Sequence, residues 1–333
     1  MLEGALLLFS GLLLAQPGDH VPRTVLRAER TYFTINGKQV FLLGCSYYGA
    51  LSAPDAWIKE DLTRLRDLGF NWVRIWATWT AGDSDVSVVD RSGLPREPWL
   101  SRLKAVLEFC DGIGMVVDVT FSRGRSLPDH QAHLAAVREV ARALKPYRNA
   151  YFDLANERNI RDDRYVSMEE LGELREAVKA VDPGRLVTAS HAGDIPEPEL
   201  KRYINVARVD FVAPHRPREP GSPAQTESKT RWYLDALRRL GRLVPVHYQE
   251  PFRRDFNPKV FQPQPDDFLT DALGALRGGA AGWCLHMGDN RARPDRRPRR
   301  DFDMRPEEGR LFDQIDDVER EVMNSLARHL GLR

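Results

Sequence analysis

The sequence predicts a single-domain α/β protein built as a (β/α)8 TIM barrel. Eight short apolar runs alternate with amphipathic helical stretches along the chain, the pattern of a parallel sheet wrapped by helices. The chain has 333 residues, enough for the roughly 250 that such a barrel needs plus insertions. No Gly-x-Gly-x-x-Gly follows the first strand, which argues against an open dinucleotide-binding sheet. No solenoid repeat or Pro/Ser-rich linker divides the chain.

Taken in order, Thr31 to Lys38 reads as a hairpin turning at Asn36-Gly37. Val40 to Gly44 is the first barrel strand, and Cys45-Ser-Tyr-Tyr48 opens the loop after it. Trp57 to Leu68 has helical spacing, with Gly69 as its stop signal. Phe70 to Ile75 is the second strand, with Arg74 near its end and Trp76 and Trp79 beyond. Trp99 to Phe109 is a helix broken by Gly112 and Gly114, and Gly114 to Phe121 the third strand. Asp129 to Leu144 is a helix stopped before Pro146. Tyr151 to Ala155 is the fourth strand, closed by Asn156-Glu157.

Met168 to Val181 is the next helix, and Arg185 to Ser190 a fifth strand ending at His191. Pro196 to Tyr203 is a short helix, and Val209 to Pro214 a sixth strand ending at His215. Ser222 to Leu240 is helical, and Leu243 to Glu250 is the seventh strand. Asp266 to Leu276 is helical, Ala280 to Leu285 the eighth strand, and Glu308 to Leu330 a closing helix.

Composition narrows the function. A formal charge of +1 gives no global bias toward nucleic acid or an anionic membrane. The Arg-rich tract Arg291 to Arg300 lacks aromatic interleaving and is diluted by Asp295, so it is not read as a nucleic-acid arm. Cys45, Cys110 and Cys284 fit no metal or redox spacing and are read as buried thiols.

The apolar run Ala5 to Ala15 is too short for a stable membrane span, which needs about 20 residues. It has the length of a secretory signal's centre, so residues 1–16 are read as a signal peptide and 17–333 as the catalytic barrel with its N-terminal hairpin. The expected location is periplasmic or extracellular. An apolar arm or a mis-assigned start is the competing reading, and would leave the protein cytoplasmic.

Active sites of such barrels lie at the C-terminal ends of the strands. A carboxylate closing a buried strand is costly to desolvate unless it has a partner or a task there. Glu157 and Glu250 both occupy such positions, and strands four and seven face each other across the mouth. Tyr48, Arg74, Trp76, Asn156, His191, His215, Tyr248, Trp283 and His286 also fall at strand ends. Two carboxylates, aromatic faces and neutral hydrogen-bonding groups suit a sugar. Repulsion is expected to raise the pKa of one glutamate while Arg74 keeps the other ionised.

On Leu68-Gly-Phe-Asn-Trp-Val-Arg74, Asn156-Glu157, Pro245-Val-His-Tyr-Gln-Glu250 and Gly282-Trp283, the chain resembles the clan A retaining glycoside hydrolases, most closely the cellulase- and mannanase-like family five. The resemblance covers about Tyr32 to Asp289. It implies Glu157 as general acid/base, Asn156 as a ligand of the sugar 2-hydroxyl, and Glu250 as nucleophile supported by Arg74. It also implies Trp283 as a sugar platform. Cleavage of a β-linked glycan by double displacement, without a cofactor, follows from the resemblance. The family's His-x-Tyr after strand six is His215-Arg-Pro217 here, so Tyr248 or Tyr48 must serve the nucleophile instead. The family's His after strand three is replaced by Thr120-Phe121.

Simpler roles compete. Glu157 and Glu250 as rim ion pairs with Arg158 or Arg253, and Trp283 as core filling, are the plain alternatives. The histidines with Glu157 and Glu250 also suit a metal-dependent barrel isomerase or hydrolase, although no metal-ligand spacing is regular. A non-catalytic glycan-binding barrel is a third reading. Arg216, Arg218, Arg253, Arg254, Arg291 and Arg293 sit in loops on the expected active face and raise the expectation of an acidic glycan, against solvated loops neutralised by nearby acids.

Overall fold

A computed structural model describes residues 20–288 and 300–332. The barrel strands are β1 (Leu42–Ser46), β2 (Trp72–Trp76), β3 (Val116–Thr120), β4 (Ala150–Asp153), β5 (Leu186–Thr188, continued by Ser190–His191), β6 (Ala213–Pro214), β7 (His247–Tyr248) and β8 (Gly282–Leu285). Every neighbouring pair is parallel. β8 pairs with β1 through Gly282↔Leu42 and Trp283↔Leu43, and β5 pairs with β6 through Ser190↔Ala213. A Val212↔Val246 bridge joins β6 to β7, so the ring of eight is closed. The expected (β/α)8 barrel is the fold.

Strand phase divides the core in two. Leu42, Trp72, Val116, Tyr151 and Cys284 point inward, where Phe33 from the N-terminal sheet packs among them at the barrel's lower end. Their neighbours Leu43, Cys45, Val73, Ile75, Val117, Val119 and Phe152 point outward against the helices. That alternation is the period of two imposed by the pleat. Gly44 is required on the inner face, because a Cβ there would meet the Trp72 indole at 1.9 Å.

The outer layer contains α1 (Asp55–Asp67), α2 (Trp99–Gly112), α3 (His130–Leu144), α4 (Met168–Val181), α5 (Glu197–Arg202), α6 (Ser222–Arg239), α7 (Pro265–Gly278) and α8 (Asp317–His329). Local chemistry sets their starts. Asp129 accepts from Ala132 N at 2.9 Å to open α3, and Ser167 with Glu170 forms a capping box on α4.

Two element expectations change. The stretch Lys38–Val40 is the third strand of an antiparallel sheet with Leu26–Glu29 and Tyr32–Ile35, so β1 begins only at Leu42. Asn36 and Gly37 both have positive φ (52° and 77°), as the two-residue turn requires. The closing helix is not continuous from Glu308. Ile315 is extended, and Asp316 with Glu319 forms a new capping box that starts α8. All three cysteines are buried free thiols, as expected. The signal peptide expected over residues 1–16 falls outside the described residues, and among the described residues no helix is long and apolar enough to cross a membrane.

Candidate functional site

At the C-terminal mouth of the barrel lies a cavity of about 350 Å³ lined by Tyr48, Trp76, Trp79, Glu157, Arg218 and Glu250, among others. Arg74 lies beneath the lining residues Asn156 and Glu250. This fully buried guanidinium donates to Glu250 Oε1 (2.8 Å), Asp153 Oδ2 (2.8 Å), Asn156 Oδ1 (2.9 Å) and Thr120 Oγ1 (3.0 Å). Its Nε also lies 3.1 Å from Asp118 Oδ2. One cation thus locks carboxylates from β3, β4 and the loop after β7 together. Asp118 does not share the charge equally, since burial pushes its pKa up to about 7.

Glu157 has φ +46°, a left-handed conformation uncommon for a residue with a long side chain. Its neighbours impose it. Asn156 N donates to Phe121 O (2.8 Å), Glu157 N to Ser190 Oγ (2.9 Å), and Arg158 N to Ser190 O (3.1 Å). Strain that is over-determined in this way is characteristic of functional positions. It turns the carboxyl toward the mouth rather than toward Arg158, which instead pairs with Glu199 at 3.0 Å. The rim ion pair with Arg158 is therefore absent.

His215, from the loop after β6, places Nδ1 3.2 Å from Glu157 Oε1 and 3.3 Å from Glu250 Oε2. These three ligand-type atoms lie within 4.8 Å of one another. Arg218 bridges the same pair from above: Nη2 is 3.4 Å from Glu157 Oε1 and 2.7 Å from Glu250 Oε2. Tyr48 donates to Glu250 Oε1. Arg253 Nη1 donates to His286 Nε2 (3.1 Å), which assigns the imidazole proton to Nδ1, facing Tyr48 Oη at 3.3 Å.

The electrostatics correct one expectation. Neither glutamate is raised. Burial opposes ionisation of Glu250, yet His215 first, and then Arg74, hold it well below the usual carboxylate range. His286, whose own pKa burial drives well down, is neutral and adds no charge. Burial and Glu250 act against Glu157 too, but the His215 hydrogen bond and Arg218 leave it lowered. Burial alone would lower His215, and the two carboxylates outweigh it and raise its pKa. In the free site the mobile proton belongs on the imidazole.

Glu157, Glu250, Arg74, Asn156, His215, Tyr48 and Trp76 are brought together. His191, Tyr248 and Trp283 are not, and one cause covers all three. Each lies on the outward phase of its strand. Trp283 is fully buried and its indole donates to Asp271 Oδ2 of α7 at 2.6 Å. Tyr248 Oη shares a 2.6 Å hydrogen bond with Thr230 of α6. His191 Nδ1 lies 3.3 Å from Tyr203 Oη. Trp283 is core filling, not a platform.

The arginines expected on this face separate in the same manner. Arg216 reaches back to Asp194 (2.5 Å) and Arg254 to Asp316 (2.5 Å), whereas Arg218 and Arg253 line the cavity. Arg291 and Arg293 lie outside the described residues. Sequence reasoning did not find Arg164, Phe256 or Phe302. Phe302 packs on Tyr48 (5.0 Å) and accepts from Trp79 Nε1 through its carbonyl (2.7 Å). It sits in a short 3₁₀ turn, Arg300–Phe302, with no periodic pattern to reveal it.

No family model matches the chain, and no curated protein matches it in sequence. The fold is similar to a glycoside hydrolase family 5 structure from Bacteroides vulgatus ATCC 8482 (TM-score 0.67, 15% identity, 92% of this chain and 71% of that one). It is also similar to an endo-1,4-beta-mannanase from Rhizomucor miehei (TM-score 0.64, 12% identity, 93% and 100% covered). An endo-beta-1,4-mannanase from Thermotoga petrophila gives a TM-score of 0.59 at 16% identity, with 89% and 78% covered. At such identities the likeness establishes the architecture.

Proposed function

We propose that the chain is a retaining glycoside hydrolase acting on a β-linked poly- or oligosaccharide. The observation that carries this reading is the pair of glutamates with carboxylate oxygens within 4.8 Å of each other at the barrel mouth. Retaining enzymes need carboxyl groups roughly 5–5.5 Å apart, whereas inverting ones need roughly 6.5–9.5 Å to admit a water.

Roles follow from the contacts. Glu250, kept ionised by His215 and Arg74, attacks the anomeric carbon. Glu157 protonates the departing glycosidic oxygen. In the free site the His215 hydrogen bond, and after it Arg218, hold Glu157 ionised, and Arg218 spans the two carboxylates, so it must leave as the sugar enters. The His215 Nδ1 proton, 3.2 Å from Glu157 Oε1, then supplies the acid. In the second half, Glu157 takes a proton from water, whose oxygen attacks the anomeric carbon and releases Glu250. Asn156 Oδ1 is engaged by Arg74 at 2.9 Å, which leaves its NH2 as the donor for a sugar hydroxyl. Trp76 and Trp79, which line the cavity, supply the aromatic surface in place of the buried Trp283.

A panel of β-linked glycans, β-1,4-mannan included because two of the similar structures are endo-β-1,4-mannanases, tests the reading. Reducing ends should appear with the natural chain and vanish with Glu157→Ala and Glu250→Ala. Equal release by either variant would remove the reading.

A further inference from the structure

Arg218 stands where a sugar would have to be. Its Nη2 touches both proposed catalytic carboxylates, in the gap that an anomeric carbon and its glycosidic oxygen would fill. A neutral sugar entering here would break two ion pairs and leave the guanidinium with no counter-charge in a half-enclosed cavity, an unfavourable exchange. An anionic sugar replaces the charge it displaces.

The walls favour the same ligand. Arg218 lies 4.5 Å from the Phe256 ring centroid and Arg253 lies 5.1 Å from it, so both guanidinium groups pack on one aromatic ring. Arg164, 3.9 Å from Glu157 and already bound to Asp162, adds a third cation to the cavity lining. Among the described residues, the acids that line the cavity are Glu157 and Glu250, both already matched by Arg74, His215 and Arg218. A planar carboxylate is the natural partner of a guanidinium released from two others.

On the basis of the proposed hydrolase reading, we infer that the sugar bound beside Glu157 and Glu250 carries a carboxylate, and that Arg218 passes from the enzyme's own glutamates to that group when substrate binds. The substrate class is a β-linked, hexuronate-containing glycan. Arg218 acts as both placeholder and specificity determinant.

The test compares β-1,4-glucan and β-1,4-mannan oligosaccharides with the same chains oxidised at C6 to uronates, at low and high ionic strength. The oxidised chains should show kcat/KM about ten- to a hundredfold above the neutral ones, the value of a hydrogen bond to a charged group. Added salt should shrink that ratio. Arg218→Gln should bring it toward one, mainly through the KM of the oxidised chain, and Arg218→Lys should retain part of it.

Cleavage of neutral chains with no preference for oxidised ones, or a ratio untouched by Arg218→Gln, overturns the inference and leaves the hydrolase reading standing. If no chain is cleaved, binding followed by the fluorescence of Trp76 and Trp79 decides. Salt-sensitive, Arg218-dependent binding of oxidised chains upholds the inference without hydrolysis, and equal binding of both kinds ends it.

Discussion

Tyr48 and Glu250, 202 residues apart in the chain, share a hydrogen bond in which the phenol donates to Oε1, the oxygen that also accepts from Arg74 at 2.8 Å. Burial first, and then the Glu250 charge, keep Tyr48 a neutral phenol. Of the two tyrosines expected to serve Glu250, Tyr48 is the one that reaches it, whereas Tyr248 bonds Thr230 instead. Removing this donor by Tyr48→Phe should lower kcat roughly 100-fold, the scale of one preorganised donor at a reacting oxygen. Thermal unfolding should barely shift. Unchanged kcat in steady-state assays would assign Tyr48 a packing role only.

The proton on His215 sets the pH dependence. Its pKa is raised from 6.5, and that of Glu250 is held well below its ordinary value. Catalysis needs Glu250 ionised and one proton available to Glu157, so kcat/KM falls at low pH as Glu250 protonates. It falls again as pH rises through the elevated value of the histidine. The observed constants belong to the Glu157–His215–Glu250 cluster as a unit. The basic limb should lie above pH 6.5 and move toward the carboxylate range in His215→Gln. A basic limb that stays in place in that variant would detach His215 from proton supply.

Trp283 separates packing from sugar binding. Trp283→Phe removes the donor to Asp271 Oδ2, a buried carboxyl already pushed up to about 6. Unfolding by denaturant should show a loss of about 1–3 kcal/mol, the range for a buried acceptor left without its partner. Turnover by the folded fraction should be unchanged. The opposite pattern, intact stability with weakened glycan binding, would restore Trp283 as a platform.

Much of this was legible in the sequence. Alternating apolar runs and helical stretches gave the barrel, and the position of Glu157 and Glu250 at strand ends gave the pair. Lost was the parity within each strand. Tyr248 and Trp283 sit one residue from the inward-facing Gln249 and Cys284, and such a step reverses the face a side chain meets. In runs that are apolar on both sides, composition does not reveal which phase is inside. Arg218 was visible as a loop arginine, but its reach to both glutamates depends on a backbone path around Arg216, whose φ is +48°. The lowered pKa of Glu157 was hidden for the same reason.

Glu157, His215 and Glu250 also have the residue types of a metal site. Each facing atom, however, already meets a cation or shares a proton, and a divalent ion would have to expel Arg218 and strip the His215 proton. Dialysis against EDTA should leave kcat/KM unchanged, and added zinc or manganese should not raise it. Loss on chelation with recovery on adding metal would instead support a metal-dependent isomerase or hydrolase.

Azide rescue with an activated aryl β-glycoside measures the central division of labour directly. Glu157→Ala should yield the β-glycosyl azide, formed on the Glu250-linked intermediate, and Glu250→Ala the α-azide, formed by direct attack in the vacated space. The anomeric coupling in each product's NMR spectrum reads the outcome. The same anomer from both variants, or full activity without azide in either, would contradict the roles assigned to the two glutamates.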